Sequence, residues 1–458
     1  VKQLFLPFEN IDPRKSLPRE IREAKRNGYF TGESNANCAN SDKLRENICE
    51  IDDKSVNSHS YSRNSRLHSW FIFQNLLKAY HDCRKRKRKT ANAAKFEINF
   101  ESELLKLEKE LQNHTYQPGK SICFVVTYPT SREIFAADFH DRIVHHLLIA
   151  YLEPIFEKKF IHHSFACRNN KGTHAAVKFL KKFTRQSTKN FSQVSYYLQA
   201  DISAFFMSLK KDILYKLIEK QVRNPEILWL TEKIIFHDPT KNFYRKGDPK
   251  LADLIPTHKS LFHIPKNQGL PIGNLTSQFF ANVYLNSLDQ FVKHTLKARY
   301  YLRYMDDFIL IHKSPTQLSK WKKQIDIFLK EELKLRLHPK KSIQQSIYKG
   351  VNFAGFVVKP HSHLIRRRTV GNLKKKIWQF NSLPFPQNDE IFEGQLTQIL
   401  AVINSYYGQF AYANTYNLRK SLYYKNFKIL KTYLEPSDND FTFFRVKIFS
   451  KEPAENSP

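Results

Sequence analysis

The chain has 458 residues, 41% of them hydrophobic and 14% aromatic, which is long and apolar enough for two or three globular subdomains. Lys and Arg number 75 against 43 Asp and Glu, a formal net charge of +32, so a polyanionic partner is expected, nucleic acid first. Five cysteines without a C-x-x-C pair argue against a disulfide framework or a zinc knuckle; with no signal-peptide core and no apolar run near the roughly 18 residues of a membrane span, the expectation is a soluble, cytoplasmic protein with no membrane partner.

Residues 1–65 are rich in Asn, Ser and Arg with little periodicity, and read as a polar extension. From Trp70, WFIFQNLLKAYHDC has helical spacing and runs into the basic cluster Arg84 to Lys89. Between about 100 and 200, amphipathic helices such as FESELLKLEKELQNH and HAAVKFLKKFTRQ alternate with β-rich runs such as SICFVVTYP and SYYLQADIS. The stretch of about 236–266 carries Pro, Gly and charge and reads as an insertion or long loop between helices. Beyond Val358 the chain turns basic and mainly helical to about Leu434.

The strongest chemical signal is Asp306–Asp307 within RYYLRYMDDFILIHK, where β-rich runs flank two acids as at the tip of a hairpin. Adjacent carboxylates between apolar strands repel and lose hydration, an arrangement that a divalent cation would neutralise. Asp52 and Asp53 are the internal contrast, a pair in a polar stretch without strand flanks, read as surface. A second apolar run, YYLQADISAFF, ends at Asp201, so a neighbouring strand could carry a third carboxylate to the pair. Three carboxylates suit two metal ions and in-line phosphoryl transfer, and oxygen ligands suit Mg²⁺.

Tyr304 to Asp307 together with Asp201 and Phe206 resemble the Y-x-D-D and D-x-x-x-x-F/Y palm motifs of reverse transcriptases. Gln268, Gly269, Leu270, Pro271, Ile272, Gly273, Thr276, Ser277 and Gln278 resemble a third motif of that family, in the narrower I-G-x-x-x-S-Q version of diversity-generating retroelements. The blocks SREIFAADFHDRIVHH, SFACRNNKGTHAAV, LKLRLHPKKS, VNFAGFVV and RRRTVGNLKKKIWQF extend the resemblance over roughly residues 70–430.

The resemblance implies an α+β right-hand polymerase with fingers, a ferredoxin-like antiparallel palm and a helical thumb. Its implied divisions are an extension at 1–65, amino-terminal helices and fingers at 66–195, a palm at 196–362 with the insertion at about 236–266, and a thumb and tail at 363–458. It implies metal ligands Asp201, Ile202, Asp306 and Asp307 holding two Mg²⁺, with Mn²⁺ a substitute. Contacts to the incoming deoxynucleotide are implied for Arg132, Arg142, Phe206 as sugar gate, Gln268, Gly269, Lys340 and Lys341, the last two as alternative general acids. Template and primer contacts are implied for Arg168, Lys171, Gly172, Ser277, Gln278, Tyr304, Met305, Phe353, Gly355 and Phe356. The expected partners are an RNA template, a DNA primer and product, deoxynucleotides, a cognate structured RNA and an accessory protein. Three roles stay open: a diversity-generating retroelement first, an antiphage defence enzyme with its own structured RNA second, and an RNA-binding module that has lost synthesis third.

Overall fold

The computed structural model describes residues 69–85, 90–127, 130–384 and 389–447. The extension at 1–65, Asp52, Asp53, the cluster residues Arg86 to Lys89 and the tail from 448 lie outside the described residues.

Apolar side chains at helical spacing build the amino-terminal layer. Helix α1 (Phe73–Arg84) buries Leu76, Ala79, Tyr80 and Cys83, positions i, i+3, i+4 and i+7 of one stripe. After α2 (Ala91–Ile98), helix α3 (Phe100–Gln112) does the same with Leu104, Leu107 and Leu111. Strands β1 (Ser121–Val126) and β2 (Arg132–Ala136) form an antiparallel hairpin. Helix α4 (Phe139–Glu157) follows, buried on most sides, and α5 (Thr173–Ser187) presents one apolar stripe of Ala176, Val177, Leu180 and Phe183.

The central sheet comes next. Strand β3 (Tyr196–Asp201) leads through a short helical turn to α6 (Lys211–Glu219) and α7 (Pro225–Phe236), the latter capped by Asn224, whose side chain accepts from the Glu226 and Ile227 N–H groups. Strand β4 (Phe243–Arg245) and helix α8 (Leu275–Gln290) precede the hairpin β5 (Tyr300–Tyr304) and β6 (Asp307–His312). Helix α9 (Pro315–Glu331) and strand β7 (Ile343–Ser346) complete it. The order is β5-β6-β3-β7, every pair antiparallel. With helices between its first and second and its third and fourth strands, this is the ferredoxin-like βαββαβ arrangement. Period-2 alternation lets the sheet divide two cores: Leu198, Ala200, Phe308 and Leu310 face one, and Tyr197, Leu302, Ile309 and Ile311 the other.

The segment read as an insertion at about 236–266 is anchored. Its β4 pairs in parallel with β1, a partner more than a hundred residues upstream, and three short 3₁₀ segments carry the chain on. After β7, a meander of β8 (Val351–Phe353), β9 (Phe356–Val358) and β10 (His363–Ile365) leads to α10 (Arg367–Asn381), α11 (Asp389–Ala411) and α12 (Tyr416–Asn426). The strand pair β11 (Leu434–Pro436) and β12 (Phe444–Val446) closes this unit over an aromatic core of Tyr407, Phe410, Phe427 and Phe444. The whole is an α+β right-hand fold with fingers, palm and helical thumb. Among the described residues no helix is long and apolar enough to cross a membrane.

Candidate active site

Strand register brings the acids together. Asp201 ends β3 directly opposite Asp307, the first residue of β6, and Asp307 in turn faces Tyr304 across the β5–β6 hairpin. Only Met305 and Asp306 form the connection. Such two-residue turns need a positive φ at the first central position when that turn is of the primed kind, and Met305 takes φ 58° despite its side chain. A non-glycine residue held there stores backbone strain.

The turn is held from beneath by a buried cation. Arg303, fully inaccessible, donates from Nη1 to the Met305 carbonyl at 3.0 Å and from Nε and Nη2 to Asp289 at 2.8 and 2.6 Å. Tyr301 donates to the same Asp289 at 2.7 Å, and Asn282 Oδ1 accepts from Arg303 at 3.2 Å. Nothing in the linear pattern assigns Arg303 this part, although a charge inside the apolar run YYLRY was the available signal.

Burial shapes the protonation of the acids. It pushes the Asp307 carboxyl up to about 7; the charges of Asp201 and Asp306 push the same way, and a hydrogen bond from Gln199 opposes them. Asp306 is raised by burial and then by the charge of Asp201, with Arg132 pulling it back. Carboxylates that raise one another in this way gain from a divalent cation, and their donor set is all hard oxygen. The described residues nevertheless include no ready-made metal cage of three acidic, His or Cys side chains. Two hydrogen-bond donors occupy the oxygens: Lys341 Nζ lies 2.5 Å from Asp201 Oδ2, and Gln199 Nε2 is 2.9 Å from both oxygens of Asp307. Lys341 is 61% exposed and can swing away, and each carboxylate oxygen keeps a lone pair beside the Gln199 bond, so the residues fit a metal once the lysine leaves. Ile202 buries its side chain and bridges to Leu337, flanked by the Ser203 N–H bond to the Arg336 carbonyl and the His338 N–H bond to the Asp201 carbonyl.

Other expected residues divide. Arg132 is exposed at the start of β2, close enough to act on Asp306, whereas Arg142 spends its Nε on the Ala137 carbonyl at 2.8 Å. Phe206 is half-buried after Ala204, which sits at φ 44°. Its carbonyl accepts from the Leu270 N–H at 2.8 Å, while Gln268 bonds Lys210 Nζ at 2.6 Å and the Met207 carbonyl at 3.0 Å, tying the two segments. Of the two lysines, Lys341 reaches Asp201 and Lys340 is exposed. Lys171 and Gly172 stand at the amino end of α5, where the Thr173 hydroxyl and the Tyr304 hydroxyl lie 3.0 Å apart.

Burial bears on several other expected contacts. Arg168 turns its guanidinium inward onto Glu157, at 2.5 Å, and onto the carbonyls of Ile161 and Ser164. The glycines of the third motif pack closely against protein. A Cβ on Gly273 would meet Ile134 Cγ2 at 2.8 Å and the Phe135 carbonyl oxygen at 2.9 Å, and one on Gly269 would meet Leu261 Cδ1 at 3.0 Å. Ser277 is buried, and Gln278 accepts from the Cys167 thiol at 3.2 Å. Phe353 and Phe356 lie in the core, Phe353 edge-on to Tyr304, and the half-buried Ala354–Gly355 turn joins them with both residues at positive φ, while Asn352 is exposed.

The model of the family described as reverse transcriptase (RNA-dependent DNA polymerase) matches residues 129–358, half of the chain. The chain belongs to the reverse transcriptase family. Curated relatives include protein YkfC of Escherichia coli, 23% identical over 58% of this chain and 72% of that protein. The group II intron-encoded protein LtrA of Lactococcus lactis is 20% identical over 60% of this chain and 53% of its own length. An uncharacterized 91 kDa protein in the cob intron of Schizosaccharomyces pombe is 25% identical over 41% of this chain, which covers only 20% of that relative. The family match of this reverse transcriptase thus begins just before β2 and ends at β9, so it contains all three carboxylates and the turn that Arg303 supports.

Proposed function

We propose that the chain is an RNA-directed DNA polymerase that adds deoxynucleotides to a primer end. The observation that carries this reading is the register match of Asp201 with Asp307, which sets two carboxylates face to face with Asp306 on the adjoining turn. Asp201, Asp306, Asp307 and the Ile202 carbonyl would hold two Mg²⁺, which supply Lewis acidity to the primer hydroxyl and the leaving pyrophosphate. The protein's own part is positional: Tyr304 and Met305 shape the turn, Arg132 places positive charge on the triphosphate side, and Phe206 walls the sugar. Lys341, released from Asp201, becomes a proton donor to the leaving group. An RNA template and DNA product run along the basic thumb, where Lys374 to Lys376 follow Arg366 to Arg368.

The proposed setting is a retroelement of the diversity-generating kind. Ile272–Gly273 followed by Ser277–Gln278 supports it, and the matches to intron proteins are in keeping with a retroelement enzyme more broadly. A cognate structured RNA and an accessory protein belong to this proposal. Primer extension on a defined RNA template with Mg²⁺, comparing wild type with Asp306→Ala plus Asp307→Ala, tests the chemistry. DNA from wild type alone supports it, and no DNA from either overturns it. Sequencing the product tests the setting: errors concentrated opposite template adenines support it, and faithful copying refutes it.

A further inference from the structure

The period of two in β3 puts Gln199 on the face of Asp201, and the register sets Gln199 opposite Ile309 of β6, so Asp307 is its diagonal neighbour across the sheet. The side-chain amide reaches that neighbour symmetrically: Nε2 lies 2.9 Å from Oδ1 and 2.9 Å from Oδ2 of Asp307. The second N–H of the same amide donates to the Asn352 carbonyl at 3.1 Å, so both donors are engaged. Turning the amide over would aim Oε1 at a carboxylate and a carbonyl, two acceptors, which fixes the nitrogen on the Asp307 side. Oε1 is left buried with no hydrogen-bond partner among the described residues. A buried acceptor left unpaired is costly and calls for a functional reason.

The reason follows from where the nitrogen stands. A donor equidistant from the two oxygens lies in front of the carboxylate, on the line that bisects them. A cation chelated through both oxygens of one carboxylate takes that same position, and an amide nitrogen and a cation cannot share it. Each oxygen keeps its outer lone pair, which suits a cation held through one oxygen alone. Divalent ions differ in the mode they use. Ca²⁺ takes roughly six to eight oxygens at about 2.3–2.6 Å and accepts carboxylates in either mode. Mg²⁺ demands near-ideal octahedral geometry at about 2.0–2.1 Å, which the narrow bite of a chelating carboxylate does not fit.

On the polymerase reading above, we infer that Gln199 is a specificity-determining residue for the metal: by closing the chelating position of Asp307 it keeps that acid a one-oxygen ligand and favours Mg²⁺ over Ca²⁺. Asn352 is part of the device, because its carbonyl holds the second N–H and stops the amide from swinging aside. The discrimination acts against the larger ion rather than for the smaller one. Removing the amide therefore changes Ca²⁺ binding far more than Mg²⁺ binding.

Cation binding to the full chain without nucleic acid is the direct test. Mn²⁺ binding is followed by electron paramagnetic resonance while Ca²⁺ or Mg²⁺ displaces it, and the chain with Asp306→Ala plus Asp307→Ala gives the background from acids elsewhere. The quantity read is the ratio of the two displacement constants, in which a change in the basicity of Asp307 acts on both ions and cancels. Gln199→Ala opens the position, and Gln199→Asn keeps an amide that is one methylene too short to fill it. Each shifts the ratio about tenfold toward Ca²⁺, the worth of one charge-assisted contact. Gln345→Ala removes a half-buried amide of the same sheet that bonds the Tyr197 hydroxyl, and leaves the ratio unmoved. A ratio unmoved by both Gln199 changes overturns the assignment, as does an equal shift in Gln345→Ala. Primer extension with Mg²⁺ keeps the two readings apart. Extension without the shift in ratio sinks the role of Gln199 alone; the shift without extension by wild type sinks the polymerase reading and leaves the metal preference standing.

Discussion

Arg303→Met is the sharpest perturbation of the framework. It removes the partner of Asp289, and both side chains are wholly inaccessible, so the acid is left as a buried charge that keeps the Tyr301 hydroxyl bond. Breaking a buried pair on one side costs about 3–5 kcal/mol, far more than an exposed pair. With a urea dependence of about 2–3 kcal/mol per molar, the unfolding midpoint falls by roughly 1–2 M. A second change, Asp289→Leu in the same chain, removes the stranded charge and restores most of the midpoint, since buried pairs exchange for apolar pairs at little cost. Activity behaves differently. The Met305 carbonyl has lost its donor in both variants, so the double variant regains stability while primer extension stays well below wild type. Circular dichroism in urea and single-turnover extension check the two halves. A single variant with an unmoved midpoint, or a double variant with full activity, refutes the reasoning.

Three further outcomes are expected. Lys341→Gln frees Asp201 Oδ2; because the lysine end of the pair is largely exposed, Mn²⁺ binding followed by electron paramagnetic resonance tightens only up to about fivefold, and weaker binding would contradict the competition. Burial depresses His145 to about 4 in the folded chain against an ordinary value of 6.5, so between those limits the unfolded chain binds the extra proton and stability falls as pH drops. His145→Leu should flatten that slope by about 1.4 kcal/mol per pH unit in urea titrations from pH 6.5 to 4, and an unchanged slope would show that the ring is not the group responsible. Gly273→Ala drives a Cβ into Ile134 and Phe135 from φ 133° and lowers thermal stability by about 1–3 kcal/mol, whereas Gly172→Ala, at φ 103° with open space around it, costs only its backbone strain; equal melting shifts would show that the Gly273 packing does not matter.

The mixture of strands and helices was legible because its signals are local, alternating apolar runs and helical stripes, whereas the α+β right-hand class and the ferredoxin-like palm came from the resemblance that the acid motifs carry. The carboxylates announced themselves for the same reason, each at the end of a strand-like run. Gln199 and Arg303 did not, because what they do depends on partners elsewhere in the chain; Asp307 lies 108 residues beyond Gln199, and the Met305 carbonyl joins Arg303 only after the hairpin closes. The partner of Arg168 was hidden in the same way. A basic residue in a polar loop has the composition of a phosphate contact, and only the folded chain shows Glu157 beneath it. Gly273 belonged to a recognisable pattern, yet the neighbour that demands glycine is the Phe135 backbone of another element. The anchored β4 shows the same limit, since Pro, Gly and charge look alike in a free loop and in a strand clipped to a distant hairpin.

The stretch from Gln268 to Asn274 is fastened at both ends. Gln268 is tied to Met207 and Lys210 in the palm, while the Ile272 carbonyl accepts from the Phe135 N–H and Asn274 accepts from the Ala137 N–H at the fingers hairpin. The six Cα-to-Cα steps from Gln268 to Asn274 span about 20 Å at full stretch, so this strap is a tether of limited length between the two segments it joins. Drawing the β1–β2 hairpin away from Met207 and Lys210 would therefore extend this strap or break the bonds at one of its ends. Lengthening the strap by a few glycines would widen the separation it allows without touching any group that meets a nucleotide.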